Sequence, residues 1–500
     1  MTSEPSLSRE AAPVGHGLAQ ALEQLRQAQA TLDPGERALL TFAAPAGAAG
    51  ELADLEPGLT RAVWAPEGST WVALGEARRF RAEGAERFLQ LQKQLEDWFA
   101  TFRKNKDNSE RPIAFGGGSF GHPRDARGPW LTFGEATFVA PAILYSEKGS
   151  EASLSVLVDR EHDSGWLLKR AIEVLGREAR PAQVSAEVVT LARPGRSDVA
   201  WSRLVEDATA AIRSGLFDKV VLARKLVLEL STRPKHSELL ERLRQQGTSA
   251  ARFLLQFGAQ TFVGASPERL VRRQGRHLET EALAGTMPKG PGAAERLLSS
   301  EKECFEHKLV VQAIAEAMAP LCHSLHVPER PELAELPNLY HLRTPISAEL
   351  CEQTSILELV SRLHPTPAVG GAPRESALQY IEEHEPMERG WYAAPFGWVD
   401  AEGDGEFIVA LRSALLDGNT AHLYAGAGIV RDSDPEAEFQ ETEVKLARMW
   451  TALGLRAASQ PSQAYESARP AESGRASESG RNSESSQGVN PNSRHAGQRP

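Results

Sequence analysis

Hydrophobic positions recur along the chain with two periods, and between them they predict most of its elements. From Gly17 to Leu32 the apolar residues follow a helical repeat. The same period returns from about Glu83 to Arg103, where Phe88, Leu91, Leu95 and Phe99 share one face. Short apolar runs over Ala38–Ala44, between Ala62 and Phe80, and over Ser153–Val158 predict strands separated by turn residues. The stretch Arg111–Pro141, rich in glycine, proline and aromatic residues, reads as strands and hairpins. Val184–Leu191 has the composition of an edge or crossing segment. From Asp198 to Leu453 helices and strands alternate without a linker, and no regular crossover helices separate the strands. That order predicts an α+β fold with mainly antiparallel sheets rather than a doubly wound one.

Composition narrows this picture. The 500 residues carry a formal net charge of −11 and are 41% hydrophobic, enough for a sizeable core. An acidic chain without a basic stretch argues against nucleic-acid binding. No apolar run is long enough to span a bilayer, and MTSEPSLSREAAPVGHG lacks the basic and apolar regions of a secretory signal. Cys304, Cys322 and Cys351 are odd in number and have no CxxC spacing, so they read as ordinary buried thiols in a reducing cytosol. Residues 1–15 are expected to be disordered, as is the Ser, Glu, Arg and Gly-rich tail 457–500, which has almost nothing to bury.

Several segments carry candidate chemistry, each with an ordinary structural alternative. Gly116–Gly121 matches GxGxxG formally, but His122-Pro123 follows where a dinucleotide site needs a helix, so a glycine-rich turn or bulge between strands is expected. Lys219 opens a nearly continuous apolar strand, Asp218–Leu228. It is either a solvated strand-end lysine or a desolvated amine able to act as a general base. Glu268 follows a Ser-Pro turn. It is either an exposed acid or a carboxyl kept protonated as a general acid. Glu303 and Glu306 are three apart on a helix with apolar face Leu309, Val310, Ala313, Ile314, Ala317 and Met318. Glu438 and Glu441 are also three apart, and Lys445 continues their row one turn on. An i,i+4 salt bridge on a solvated face, worth about 0.3–0.5 kcal/mol, accounts for the second set. A carboxylate cluster for a hard cation such as Mg²⁺ accounts for both. There is no HExxH, which argues against zinc. Gly426, Ala427 and Gly428 allow close approach of backbone N–H groups to an anion. Arg412, among apolar strand neighbours, is suited to clamp a carboxylate.

The ordered series KVVLARK (219–225), FVGASPERL (262–270), TEALAGTMPKG (280–290), SSEKECFEHKLVV (299–311), YHLRTPI (340–346), LHPTPAVGGAPRE (363–375), ERGWYAAPFGW (388–398), ALRSALL (410–416) and AGAGIVRDSDPEAEFQETEVK (425–445) resembles the chorismate-utilising enzymes. The resemblance is strong over about residues 200–450 and looser through RPIAFGGGSF and FVAPAILY. It implies one domain, residues 16–456, with an N-terminal part (16–197) and a motif-rich core (198–456), built from two antiparallel sheets layered with helices. It implies Mg²⁺ held by Glu306, Glu438 and Glu441, with Glu303 nearby, against the ring carboxylate of chorismate. Arg412, Tyr392 and the 426–428 backbone would hold the enolpyruvyl carboxylate, with Lys445 close by and Thr286 and His341 lining the site. Lys219 and Glu268 would be the catalytic base and acid.

Within that family, ammonia-using members typically have glutamine at the position of Lys219. Aminodeoxychorismate synthases carry a nucleophilic lysine at the position of Ala284. Both differences imply water as the nucleophile and no glutaminase subunit. Salicylate synthases share the lysine and LAGT but usually lack a segment like His364–Gly371. The resemblance therefore implies formation of isochorismate by a cytoplasmic monomer or weak dimer, with salicylate synthesis as the alternative.

Overall fold

The computed structural model describes residues 18–103, 111–122, 128–177, 198–247, 250–335, 339–351 and 354–455. The expectations for 1–15, Val184–Leu191 and 457–500 lie outside these. Two large sheets organise the fold, and every ladder between their strands is antiparallel. The predicted α+β class holds, and so do several of the predicted elements. The first helix spans Leu18–Thr31, the helix expected after Glu83 spans Arg87–Phe99, and the strand beginning at Lys219 runs to Glu229.

The first sheet has 11 strands and runs from Ala38–Ala44 at one edge to Lys219–Glu229 and Gly371–Ala372 at the other. The second has 10 and contains the long hairpin of His277–Pro288 with Leu339–Leu350. Strands from the two halves of the chain form two blocks that meet at one seam within each sheet. Arg61–Ala65 pairs with Ala251–Phe257, and Ile113–Gly118 pairs with Pro395–Asp400. Neither half can complete its sheets alone.

The core follows from this layering. Phe253 of the first sheet packs on Phe396 of the second with ring centroids 5.0 Å apart. On the outer face of the first sheet, Leu446, Met449 and Trp450 of the last helix, Pro435–Ala452, pack with Leu239 and Leu243 of His236–Gln245. Among the described residues no helix is long and apolar enough to cross a membrane.

Two expectations need correction. Gly116–Gly118 is the end of a strand, not a turn. A Cβ on Gly116 would lie 2.1 Å from the Thr137 carbonyl oxygen, and one on Gly117 would lie 2.1 Å from that of Pro395. The glycines therefore allow neighbouring strands to approach, and they present nothing to a phosphate. The cysteines are free, but they are not buried: Cys304 and Cys322 are half-buried and Cys351 is exposed.

Candidate active site

Two helix N-termini converge on the Lys219 end of the first sheet. The helix Glu301–Met318 starts where the Ser300 side chain accepts from the Glu303 N–H, which sets Glu303 and Glu306 in its first two turns. The helix Pro435–Ala452 is capped by Asp434, whose Oδ1 accepts from Ala437 N–H at 2.9 Å, and Pro435 fits its first turn. Glu438 and Glu441 follow in its first two turns. Acids placed there are favoured by the exposed N–H groups of the helix ends.

The cleft between these elements is lined by Glu268, Thr286, Glu303, Glu306, His341, Tyr392, Arg412, Gly426, Gly428, Glu438, Glu441 and Lys445, together with Lys302 and Arg389. Twelve of the fourteen residues singled out from the sequence thus share one cavity. Lys219 and Ala427 do not line it. Lys219 is completely buried behind Glu306, donating from Nζ to Glu306 Oε1 at 2.6 Å. A Cβ on Gly428 would lie 2.7 Å from that same Oε1 and 3.1 Å from Lys219 Cε, so the glycine clears the space the pair occupies.

Gly426 and Gly428 belong to the strand Thr420–Ile429 and lie opposite Ala223 and Val221. Those partners send their N–H groups elsewhere, Ala223 to Glu385 Oε1 and Val221 to the Gly370 carbonyl, each at 2.8 Å. Neither glycine is therefore in a hydrogen-bonded pair, and both turn their peptide groups to the open edge. Lys445 Nζ donates to the Gly426 carbonyl there at 2.8 Å. Ala427 alternates toward the ladder and the core. The 426–428 backbone is thus split, with the two glycines facing the cleft and the alanine holding the sheet.

The acid–base character of the cleft follows from burial. Burial, reinforced by the charge of Glu281, pushes the Glu268 carboxyl up to about 8, against the opposing pull of Arg412, Lys219 and Lys445. Glu268 is therefore mainly uncharged at neutral pH. Burial and the neighbouring Glu441 raise Glu438 to about 7, while burial and Glu306 raise Glu303. Burial works against the charge of Glu441 too, but Lys445, donating at 2.5 Å, holds it below its ordinary value. Burial, with Arg412 and Lys445, depresses His341 to about 3, so its imidazole is neutral. His341 Nδ1 pairs with Thr286 Oγ1 at 2.9 Å, and its buried Nε2 has no partner. Burial lifts the Tyr392 phenol to about 12, and its ring stacks on Tyr424 with centroids 5.3 Å apart.

Two non-glycine residues with left-handed backbone lie together in this wall, Ala393 at φ 59° and Arg412 at φ 49°. Such conformations cost about 1–3 kcal/mol each and persist where the surroundings enforce them. Here they turn the Arg412 side chain into the cleft, where the described residues offer it no hydrogen bond or ion pair within the hydrogen-bond and salt-bridge networks of the site. A cation so placed is suited to an anionic ligand.

Sequence reasoning missed the support behind the site. Arg389 is buried and donates to Glu385 Oε2 at 2.8 Å, to the Val369 carbonyl at 2.9 Å and to the Val221 carbonyl at 2.6 Å. Glu385 in turn holds Ala223 N–H. This ion pair ties the Lys219 strand to the 364–371 segment, and its i,i+4 spacing was the only signal for it. Glu385→Ala should cost about 3–5 kcal/mol, because it leaves a buried guanidinium uncompensated. Urea denaturation followed by tryptophan fluorescence measures this, and a loss below 1 kcal/mol would contradict the clamp.

The carboxylates turn toward lysines, and among the described residues no three acid, histidine or cysteine groups converge as a cation cage. The donor set nevertheless fits a hard divalent cation. Four carboxylates border one cleft, and burial and mutual repulsion raise two of them, a strain that a cation would relieve.

A two-sheet antiparallel α+β fold whose cleft pairs an uncharged carboxyl with an acid cluster and an unpaired arginine defines an enzyme for a small anionic substrate. The sequence profile of the chorismate binding enzyme family matches residues 57–454, and the chain belongs to that family. It is 36% identical to the isochorismate synthase MenF of Bacillus subtilis over 404 residues, which are 77% of this chain and 85% of that protein. It is 38% identical to the salicylate biosynthesis isochorismate synthase of Pseudomonas aeruginosa over 407 residues, 78% of this chain and 84% of that protein. The solved structure of MenF, the menaquinone-specific isochorismate synthase from Escherichia coli, superposes with a TM-score of 0.73 at 29% identity, covering 87% of this chain and all of that one (100%).

Proposed function

We propose that this protein is an isochorismate synthase, converting chorismate to isochorismate by adding water at C2 and releasing the C4 hydroxyl. The observation that carries this reading is Glu268, a buried carboxyl raised to about 8 in the wall of the cleft. A leaving hydroxyl needs a proton, and a carboxyl still protonated at neutral pH supplies it. The relatives named as isochorismate synthases support the same reading.

In the proposed reaction Lys219, turned from Glu306 toward the cleft, takes a proton from the attacking water, the C2–O bond forms, and the C4–O bond breaks as Glu268 delivers its proton. One water enters and one leaves, so the overall change is an isomerisation. Arg412 binds the enolpyruvyl carboxylate, assisted by Tyr392 and the N–H groups of Gly426 and Gly428. Neutral His341 offers Nε2 to the substrate while Thr286 fixes its ring. Glu306, Glu438 and Glu441, with Glu303 beside them, would hold Mg²⁺, which supplies charge neutralisation for the ring carboxylate. Lys219 in place of glutamine supports water over ammonia, and Ala284 leaves no nucleophilic lysine.

Incubation of the purified protein with chorismate and Mg²⁺, followed by chromatography, should give isochorismate. Salicylate with pyruvate would establish the salicylate synthase alternative instead, and anthranilate formed from added ammonia would overturn the choice of water. EDTA should reduce turnover to background and excess Mg²⁺ should restore it. Full activity in EDTA would remove the metal from the mechanism.

A further inference from the structure

The three lysines beside the acid cluster are held unequally. Lys219 is enclosed and donates to Glu306 at 2.6 Å. Lys445 is tied twice, to Glu441 Oε1 at 2.5 Å and to the Gly426 carbonyl at 2.8 Å. Lys302 has only a long contact of 3.4 Å to Glu438 Oε1 and one of 3.9 Å to Glu303 Oε1, and its side chain is 41% exposed. It also sits in the first turn of the helix Glu301–Met318, where the exposed N–H groups disfavour a positive charge. A residue that opposes local helix electrostatics yet bridges two acids is there for those acids.

We propose that Lys302 is a built-in counter-ion of the Glu303–Glu438 edge, and that its ammonium must swing into solvent before a divalent cation can settle among the carboxylates. The proposal rests on the metal reading above. Its physical basis is competition for the same oxygens. Glu303 and Glu438 come from different helices, and their charges need a cation between them. Lys302 supplies one on a flexible four-carbon stem that can leave without disturbing the backbone. Lys219 and Lys445 cannot leave in this way, because enclosure and a second acceptor hold them. The site would therefore exchange one loosely held positive charge for a doubly charged ion, and Lys302 would set how tightly that ion binds.

The test uses the full-length protein without substrate. Mn²⁺ binding is followed by the electron paramagnetic resonance signal of the free ion, with Mg²⁺ as competitor. Lys302→Met keeps the stem and removes the charge, and it should tighten Mn²⁺ binding on the order of tenfold, since it removes repulsion and competition at one edge. Lys302→Arg keeps the charge and should not tighten it. Equal Mn²⁺ affinity in wild type and Lys302→Met would overturn the counter-ion role while leaving the metal reading in place. So would weaker binding in Lys302→Met. No binding of Mn²⁺ or Mg²⁺ by wild type or either variant would overturn both readings. A rise in the KM for chorismate with unchanged Mn²⁺ affinity would show that Lys302 instead contacts the substrate.

Discussion

Glu268→Gln should lower kcat by roughly 10²–10⁴-fold, the range expected when a general acid is lost. Glutamine keeps the shape of the side chain but has no proton to deliver to the departing hydroxyl. The same group should set the alkaline limb of the native enzyme, with kcat/KM falling as pH rises through about 8 and Glu268 ionises. Stability should respond in a defined direction. The folded value lies above the ordinary 4.5, so the contribution of Glu268 is fully present below pH 4.5 and is lost as pH rises toward about 8. Glutamine does not titrate. The variant should therefore gain stability relative to wild type on going from pH 5 to pH 8, on the order of a few kcal/mol. An inactive enzyme that is more stable at alkaline pH is the signature of a buried functional acid. Steady-state kinetics and urea denaturation at both pH values test this, and turnover near wild type would remove Glu268 from the reaction.

Lys219→Ala should have a comparable effect on kcat, roughly 10²–10⁴-fold, by removing the base. Its second consequence comes from the pair with Glu306. Alanine leaves that carboxylate without its lysine and opens a cavity in the strand, so some loss of stability accompanies the loss of rate. Chemical rescue separates the two effects. A primary amine of propylamine size fits the vacated stem and should restore part of kcat, rising with amine concentration, whereas a purely structural defect would not respond. Circular dichroism checks that the variant is folded under assay conditions. A folded Lys219→Ala enzyme with near-native turnover would sink the assignment of the base.

The candidate site was legible in the sequence to the extent that one element carries it. Glu438, Glu441 and Lys445 share a row on one helix, and the i,i+4 ion pair expected of that row is present, though not on a solvated face. Glu441 and Lys445 form it, and both face the cleft. The resemblance to chorismate-utilising enzymes brought distant motifs together, and twelve of its fourteen site residues line one cavity. Lys302 and the Arg389–Glu385 clamp were missed because a charged residue reads the same in sequence whether it faces water or a buried partner. Gly116–Gly118 was misread for a related reason. Glycine permits both a tight turn and a close strand approach, and only the Thr137 and Pro395 carbonyls opposite decide which.

By itself the sequence determined whatever depends on neighbours in the chain. It specified the helix and strand periods, the spacing of the paired acids and the mainly antiparallel α+β class. Tertiary structure alone decided what depends on distant residues meeting. Lys219 lies in the apolar part of its strand, but its enclosure comes from Glu306 and Gly428, 87 and 209 positions further along. Glu268 follows an ordinary turn, and its raised value comes from burial and the charge of Glu281, against the pull of the distant Arg412, Lys219 and Lys445. Desolvation and charge–charge repulsion act through space, so the protonation of the cleft becomes defined only once both halves of the chain have been woven into the same two sheets.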